Sequence, residues 1–177
     1  ASAVLVLWAP CVYNHYHERD AKLRQHFPHL PRLFAKSVFS CAAFNFGPDV
    51  WTFKHCDGQN APFGWCPVTV LGNFDHTKGG HLILWDLELI IEFPAGSTIL
   101  IPSATIIHSN TPREERASFT QYTPGRLLRF VDNEFHIKSQ FASEDPAGYA
   151  RMCEEKGTCW EMGLGLLSTL DELFEPA

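Results

Sequence analysis

Short apolar runs separated by turn-forming residues fill the middle of the chain. Seven runs have the length and spacing of strands, and they span residues 50–57, 66–71, 81–87, 89–93, 97–101, 106–108 and 118–123. Gly79-Gly80 precedes one run and Pro94-Ala95-Gly96 lies between two others, as tight turns require. No helical pattern separates the runs, which excludes a parallel βαβ arrangement. The middle of the chain is therefore predicted to form a β-sandwich or barrel.

The N-terminal part has a helical pattern instead. Val12, Tyr16, Leu23 and Phe27 recur at helical spacing among charged neighbours, which predicts a surface helix. The histidines at positions 15, 17, 26 and 29 are interpreted as part of a solvated face. Prolines at positions 28 and 31 end the helix, and the apolar residues 33–46 are predicted to form a buried strand pair.

The C-terminal part is predicted to be helical as well. Asp145-Pro146 is typical of a helix start, and Gly157 stands where that helix would end. A second helix is predicted over residues 159–174. The expected architecture is α+β in a single domain over residues 1–177. Its jelly-roll core at 44–134 is supported by residues 1–43 and by helices within 135–177.

Composition fits one folded domain. The 177 residues are 45% hydrophobic and 19% charged, which suits a buried core and excludes a disordered chain. The formal net charge of -6 gives no overall basic field, so a polyanion would have to bind a local patch. Six scattered cysteines without a C-x-x-C pair are expected to be reduced thiols, and no run is long enough to span a membrane.

His55-Cys56-Asp57 stands at the end of a predicted strand. Side chains alternate along a strand, so His55 and Asp57 share a face and lie roughly 6.5 Å apart along it. His108 ends a later apolar run and precedes a polar loop. Two imidazoles and one carboxylate form the facial triad that leaves three positions of Fe(II) open for a cosubstrate and dioxygen. We predict that these three residues are the catalytic metal ligands.

The H-x-D tripeptide alone would more often be a surface pair than a metal site. The order of the segments downstream of Asp57 favours a metal site. A glycine-rich strand entry is followed by a strand–Pro-Ala-Gly–strand unit that ends at Ser103. His108 comes next, and the cationic Arg116 follows eight positions later. Asp75 and His76 are a weaker candidate for a second metal pair.

Arg116 and Ser118 are the predicted cosubstrate anchor. They share a strand face and offer the planar fork of donors and the hydroxyl that the far carboxylate of 2-oxoglutarate requires. Arg113 is a competing anchor. Asn45, on a predicted buried strand before His55, is a candidate for binding the other carboxylate or an ordinary core amide.

A family likeness extends over most of the chain from Phe44 onward. It is carried by FNFGPD (44–49), HCD (55–57), KGGH (78–81), EFPAGSTILIPS (92–103), RASFTQY (116–122), WEMGL (160–164) and STLDEL (168–173). On these residues the chain resembles the TET/JBP-like dioxygenases, most closely the transposon-associated fungal branch. The resemblance implies a double-stranded β-helix, iron held by His55, Asp57 and His108, and a 2-oxoglutarate clamp at Arg116 and Ser118.

The same resemblance implies a reaction. Fe(II), 2-oxoglutarate and O2 would oxidise the methyl group of a base in DNA, namely 5-methylcytosine or, as a second candidate, N6-methyladenine, with release of succinate and CO2. DNA is then the expected partner and the nucleus the expected location, with a monomer as the default state.

A methyl group on a stacked base cannot reach a buried iron, so the base is expected to flip into the barrel. Asn60 could hydrogen-bond the base edge, and Phe46 or Phe63 could stack on its face. Ordinary loop or core packing is an equally good interpretation of all three. The predicted phosphate-contacting rim consists of Lys36, Lys54, Lys78 and Arg126.

Two alternatives to nucleobase oxidation remain open at the level of sequence. The same triad on the same fold also serves oxygenases that act on a small molecule or a protein side chain. A non-catalytic jelly-roll binding module is the other alternative. Conversion of 2-oxoglutarate to succinate only in the presence of Fe(II) separates an enzyme from such a module.

Overall fold

Two four-stranded antiparallel sheets form the centre of the computed structural model, which describes residues 1–47, 50–155 and 158–174. The strands are β1 Cys41–Asn45, β2 Thr52–His55, β3 Cys66–Gly72, β4 Leu82–Leu84, β5 Leu89–Ile91, β6 Thr98–Ile101, β7 His108–Asn110 and β8 Arg116–Tyr122. One sheet has the order β1-β8-β3-β6 and the other β2-β7-β4-β5. This alternation between sheets is the strand order of a jelly roll, or double-stranded β-helix, and it confirms the predicted fold class.

Helices precede and follow the strands along the chain. They are α1 Ser2–Trp8, α2 Pro10–His26, α3 Gly125–Asp132, α4 Lys138–Glu144, α5 Pro146–Glu155, α6 Cys159–Leu164 and α7 Leu170–Phe174. A single 3-10 turn, Trp85–Leu87, follows β4 where the sequence predicted a longer strand. Within the described ranges, no helix combines the length and the apolar character needed to cross a membrane.

Two separate apolar clusters hold these elements together. Inside the jelly roll, Val70 and Ile101 from one sheet meet Leu82 and Leu84 from the other, together with Phe93. The second cluster joins the N-terminal helices to the loop after β2 and to α3, through Leu5, Val12, Tyr16, Ala61 and Leu128 among others. Burial of one such side chain contributes about 1.5–3 kcal/mol. The helices therefore support the loop that begins at Asp57, next to the predicted metal site.

The predicted strand pair at residues 33–46 is wrong in its first half. Only Cys41–Asn45 is a strand, and it pairs with β8. Val38 and Phe39 are buried as predicted, but they pack in the helical cluster. Their backbone N–H groups donate to the hydroxyls of Ser2 and Ser37 rather than to a neighbouring strand. The apolar pattern correctly predicted that Val38 and Phe39 are buried, but they pack against helices and not against a second strand.

The C-terminal helices differ from the prediction in number. Asp145 caps α5 as expected, since its Oδ1 accepts a hydrogen bond of 2.8 Å from the backbone N–H of Gly148. Gly157, the predicted end of that helix, lies outside the described residues. The predicted helix 159–174 is divided into α6 and α7, and α3 and α4 were not predicted.

His15 is not on a solvated face, in contrast to the prediction. It is buried, with 8% of its surface exposed, and its ring meets that of Phe63 edge to face at 5.1 Å between centroids. Burial, with a smaller contribution from the charge of Arg19, lowers the pKa of His15 from 6.5 to about 4, while Asp132 and Glu18 act in the opposite direction. His17, His26 and His29 are exposed, as expected.

The lowered pKa of His15 predicts that the folded protein loses stability as the pH falls. The unfolded chain binds a proton at His15 below about pH 6.5, whereas the folded protein does so only near pH 4, so stability is full above pH 6.5 and falls as the pH drops toward 4. The loss should be on the order of 2–3 kcal/mol. Urea unfolding of the wild type and of His15→Gln between pH 7 and 4 measures it. Equal pH slopes for the two proteins would contradict the assignment.

Candidate metal and cosubstrate site

His55, Asp57 and His108 converge at the edge where β2 pairs with β7. His55 and His108 are direct partners in that ladder, and their ring centroids are 4.4 Å apart. Asp57 follows two residues after the strand and places Oδ1 3.6 Å from His55 Nε2. One potential ligand atom from each residue lies within 4.8 Å of the others. In the described part of the chain, this is the only group of three or more such residues that could hold one metal ion.

Backbone carbonyls orient both imidazole rings. His55 Nδ1 lies 2.7 Å from the carbonyl oxygen of Phe53, and His108 Nδ1 lies 2.9 Å from that of Ile106. A carbonyl only accepts hydrogen bonds, so we assign the proton of each neutral ring to Nδ1. Nε2 of each ring then carries a free lone pair, which is the state that a metal-binding histidine needs.

Asp57 is held by its backbone and by one neighbour. Its N–H donates to the carbonyl of Ser103 at 2.8 Å, and its Oδ2 accepts from Asn60 Nδ2 at 3.3 Å. The same amide group of Asn60 also lies 3.2 Å from Ser103 Oγ and 3.3 Å from Cys66 Sγ. These contacts leave Oδ1 of Asp57 directed at the histidines.

The predicted cosubstrate residues Arg116 and Ser118 lie on β8 and line the same cavity. Arg116 and Ser118 are buried, at 3% and 5% exposure, and Asn45 Nδ2 donates to Ser118 Oγ at 3.0 Å. Arg116 Nη1 donates to the carbonyl of Val50 at 3.2 Å, whereas its Nε is buried without a hydrogen-bond partner. Burial lowers the pKa of the Arg116 guanidinium. Arg113, the competing anchor, does not line the cavity.

One cavity of about 640 Å³ contains all of these groups. It lies between the sheets, with the triad residues and Asn60 on its wall together with Arg116, Ser118 and Asn45. Its volume falls in the range typical of small-molecule sites. The donor set fits Fe(II), and the buried, partly unsatisfied Arg116 fits a carboxylate such as that of 2-oxoglutarate.

Two of the predicted substrate residues lie elsewhere. Phe46 is 76% exposed and stacks on Phe44 at 5.6 Å between centroids, and Phe63 packs against His15 and Gly163. Neither lines the cavity. Pro48 and Asp49, part of the FNFGPD stretch, lie outside the described residues.

Tyr122 lines the cavity and was not singled out from the sequence. The alternation that places Arg116 and Ser118 on the inner face also places Thr120 and Tyr122 there, so a signal was available. Burial, together with the neighbouring Cys41 and Asp57, raises the pKa of the Tyr122 phenol. Thr52 and Asn110 complete one wall, with Thr52 Oγ1 donating to Asn110 Oδ1 at 2.7 Å.

The predicted basic rim is exposed, but part of it is already engaged. Lys78 Nζ lies 3.0 Å from Asp75 Oδ2, and Lys54 Nζ lies 4.5 Å above the ring of Trp85. His76, the other half of the weaker metal pair, lies 3.7 Å from Glu92. Lys36 and Arg126 are exposed.

Comparisons with known proteins give distant structural likenesses only. No protein-family model matches the sequence, and no curated protein matches it. Among solved structures, NgTET1 in complex with 5mC DNA has a TM-score of 0.43 and 15% identity over 62% of this chain. The viral collagen prolyl hydroxylase vCPH from Paramecium Bursaria Chlorella virus-1, in a 2OG complex, has a TM-score of 0.35 and 13% identity over 59% of this chain.

The matched regions cover 47% of the NgTET1 chain and 68% of the vCPH chain. Similarity at this level does not identify a family. The class of protein therefore depends on the strand order and on the side chains of the cavity: a double-stranded β-helix with a candidate metal site of two histidines and one carboxylate.

Replacement of Asp57 tests the metal centre. Asp57→Ala should reduce the affinity for Fe(II), or for Mn(II) as a redox-inert substitute, by at least about 100-fold, because loss of a group that merely orients a metal ligand already causes losses of roughly 10–100-fold. Titration calorimetry under argon measures this. Asp75→Ala, which removes a carboxylate of the alternative pair, is the matched control and should bind metal like the wild type. Unchanged affinity in Asp57→Ala would exclude the site.

Proposed function

We propose that this protein is an Fe(II)- and 2-oxoglutarate-dependent dioxygenase that oxidises the methyl group of a modified base in DNA. The observation that carries the proposal is the presence in one cavity of a facial triad and a buried arginine with an unpartnered N–H. A metal site alone would suit many proteins. The added cationic anchor suits a cosubstrate that binds the metal at one end and carries a free carboxylate at the other.

Each residue has a defined task in this proposal. His55 and His108 would bind the metal through Nε2, and Asp57 through Oδ1. When bound, Fe(II) supplies the activation of dioxygen that is coupled to the splitting of 2-oxoglutarate into succinate and CO2. Arg116 and Ser118 would bind the far carboxylate of 2-oxoglutarate by charge-assisted and neutral hydrogen bonds.

The apolar part of the cavity wall strengthens that binding. Val68, Leu82, Phe93 and Ile101 line the cavity beside Arg116. Water is a poor competitor in such surroundings, and a charge pair is stronger at low effective dielectric.

A nucleobase is the substrate that we propose for the remaining space. The cavity lies between two sheets, so a base would have to leave the duplex stack to reach it. Tyr122 offers an aromatic face for stacking, and Asn60 Oδ1 offers an acceptor for a base edge. The resemblance to TET/JBP-like dioxygenases supports 5-methylcytosine, with N6-methyladenine as the second candidate. DNA as partner, a nuclear location and a monomeric state belong to the same proposal.

The charge of the molecule favours a second candidate. The net charge is -6, and Lys78 of the proposed phosphate rim is paired with Asp75. An acidic surface attracts DNA poorly. An oxygenase that acts on a protein side chain or a small molecule is compatible with the same metal centre and anchor.

Nucleoside mass spectrometry distinguishes the two candidates. A duplex containing 5-methylcytosine, another containing N6-methyladenine and an unmethylated duplex are incubated with protein, Fe(II) and 2-oxoglutarate. We expect an oxidised methyl group in a methylated duplex and succinate above the level of the unmethylated control, and neither product with Asp57→Ala. Succinate without any oxidised base in duplex or single-stranded DNA would favour the second candidate.

The arginine anchor makes a separate prediction. Arg116→Ala should raise the apparent KM for 2-oxoglutarate by at least about 10-fold, because each charge-assisted hydrogen bond contributes roughly 1.5–3 kcal/mol. Mn(II) affinity should be unchanged. Arg113→Ala is the matched control, since its side chain is outside the cavity. A larger effect from Arg113→Ala than from Arg116→Ala would reverse the assignment.

A further inference from the structure

The Gly79-Gly80 turn before β4 lies against the side chain of Arg116. Gly80 has a φ of +73°, and a Cβ built at this position would be 3.1 Å from Arg116 Cδ. It would also be 3.0 Å from Phe74 Cε2 and 3.4 Å from Arg113 Cβ. The space that a side chain at position 80 would need is therefore taken by the ring of Phe74 and by the aliphatic part of Arg116.

The guanidinium of Arg116 has few other restraints. In the described part of the chain, its hydrogen bond from Nη1 to the Val50 carbonyl is the contact that fixes the polar end, and no ion pair to it is present. The packing around Cδ sets the direction in which the rest of the side chain extends. Even a small displacement of Cδ would redirect Nε and the terminal nitrogens relative to the metal ligands.

We propose that Gly80 is a positioning residue for the 2-oxoglutarate anchor: the absence of a side chain at position 80 leaves the room that Arg116 needs to place its guanidinium at the cavity wall. The inference rests on the proposed function, since it takes Arg116 as the group that binds the far carboxylate. Gly80 itself does not line the cavity, and its effect acts through the arginine.

A purely conformational requirement for glycine is the competing explanation. A non-glycine residue at positive φ strains the backbone wherever it occurs. Gly96 separates the two explanations. Its φ is +86°, close to that of Gly80, and a Cβ built there meets nothing within 4 Å. Gly96→Ala therefore carries the backbone strain without a contact to any side chain.

The test compares Gly80→Ala with Gly96→Ala by calorimetric titration of 2-oxoglutarate into Mn(II)-loaded protein under argon, which needs no turnover. We expect Gly80→Ala to weaken 2-oxoglutarate binding by about 10-fold or more, the scale of one lost charge-assisted hydrogen bond. Mn(II) affinity should be unchanged, and Gly96→Ala should bind 2-oxoglutarate like the wild type. Equal 2-oxoglutarate affinities in the two variants would overturn the proposal.

A second variant keeps the test decisive if Gly80→Ala does not fold. Phe74→Leu combined with Gly80→Ala removes the ring atom nearest to the new Cβ, whose next nearest neighbour in the wild-type structure is Arg116 Cδ. This protein should show the same weakened binding, with Phe74→Leu alone as its control. Wild-type affinity in the double variant would refute the proposal.

Arg116→Ala in the same titration separates this inference from the function on which it rests. If Arg116→Ala leaves 2-oxoglutarate binding unchanged, the assignment of the anchor fails. If Arg116→Ala weakens binding and Gly80→Ala does not, only the positioning role is excluded.

Discussion

The antiparallel ladder between β2 and β7 is the constraint on which the site depends. It pairs His55 directly with His108, two residues that are far apart in the sequence. Closing so long a loop is entropically unfavourable, and the pairing persists because β4 continues the same sheet beside β7 and contributes Leu82 and Leu84 to the core. The candidate metal ligands are thus positioned by the packing of the whole jelly roll, and the carbonyls of Phe53 and Ile106 set only the final ring orientation.

The burial of the charged Arg116 side chain is difficult to explain as a requirement of the fold alone. A guanidinium at 3% exposure loses most of its hydration, and its Nε has no hydrogen-bond partner. Burial of a charge is strongly unfavourable unless the charge is paired. A leucine or methionine on β8 would fill the same space without that penalty. No carboxylate of the described residues forms an ion pair with Arg116, and under the proposed function the carboxylate of the cosubstrate would supply the missing partner.

The sequence predicted the parts of the site that depend on local alternation. Arg116 and Ser118 are two positions apart on β8, and period two is enough to place them on one face. Asp57 was correctly predicted to lie beside His55, but it follows the end of β2, and its hydrogen bond to the Ser103 carbonyl holds it there. The same rule would have identified Tyr122. It could not show that His15 and Phe63 pack against each other, because that contact joins a helix to a distant loop. Val38 and Phe39 illustrate the same limit: apolar character predicts burial, while the packing partner is decided by tertiary structure.

Asn60 links the candidate metal site to the proposed substrate pocket more closely than the sequence indicated. Its amide nitrogen is engaged by Asp57 and Ser103, so the group expected to read a base edge is also one that orients a metal ligand. An amide held in this way presents its oxygen in a fixed direction, which favours a substrate that donates a hydrogen bond at that edge. The exocyclic amino group of cytosine or of N6-methyladenine is such a donor. If the proposed function holds, metal geometry and substrate choice are coupled through this one side chain, and a change at position 60 would alter both.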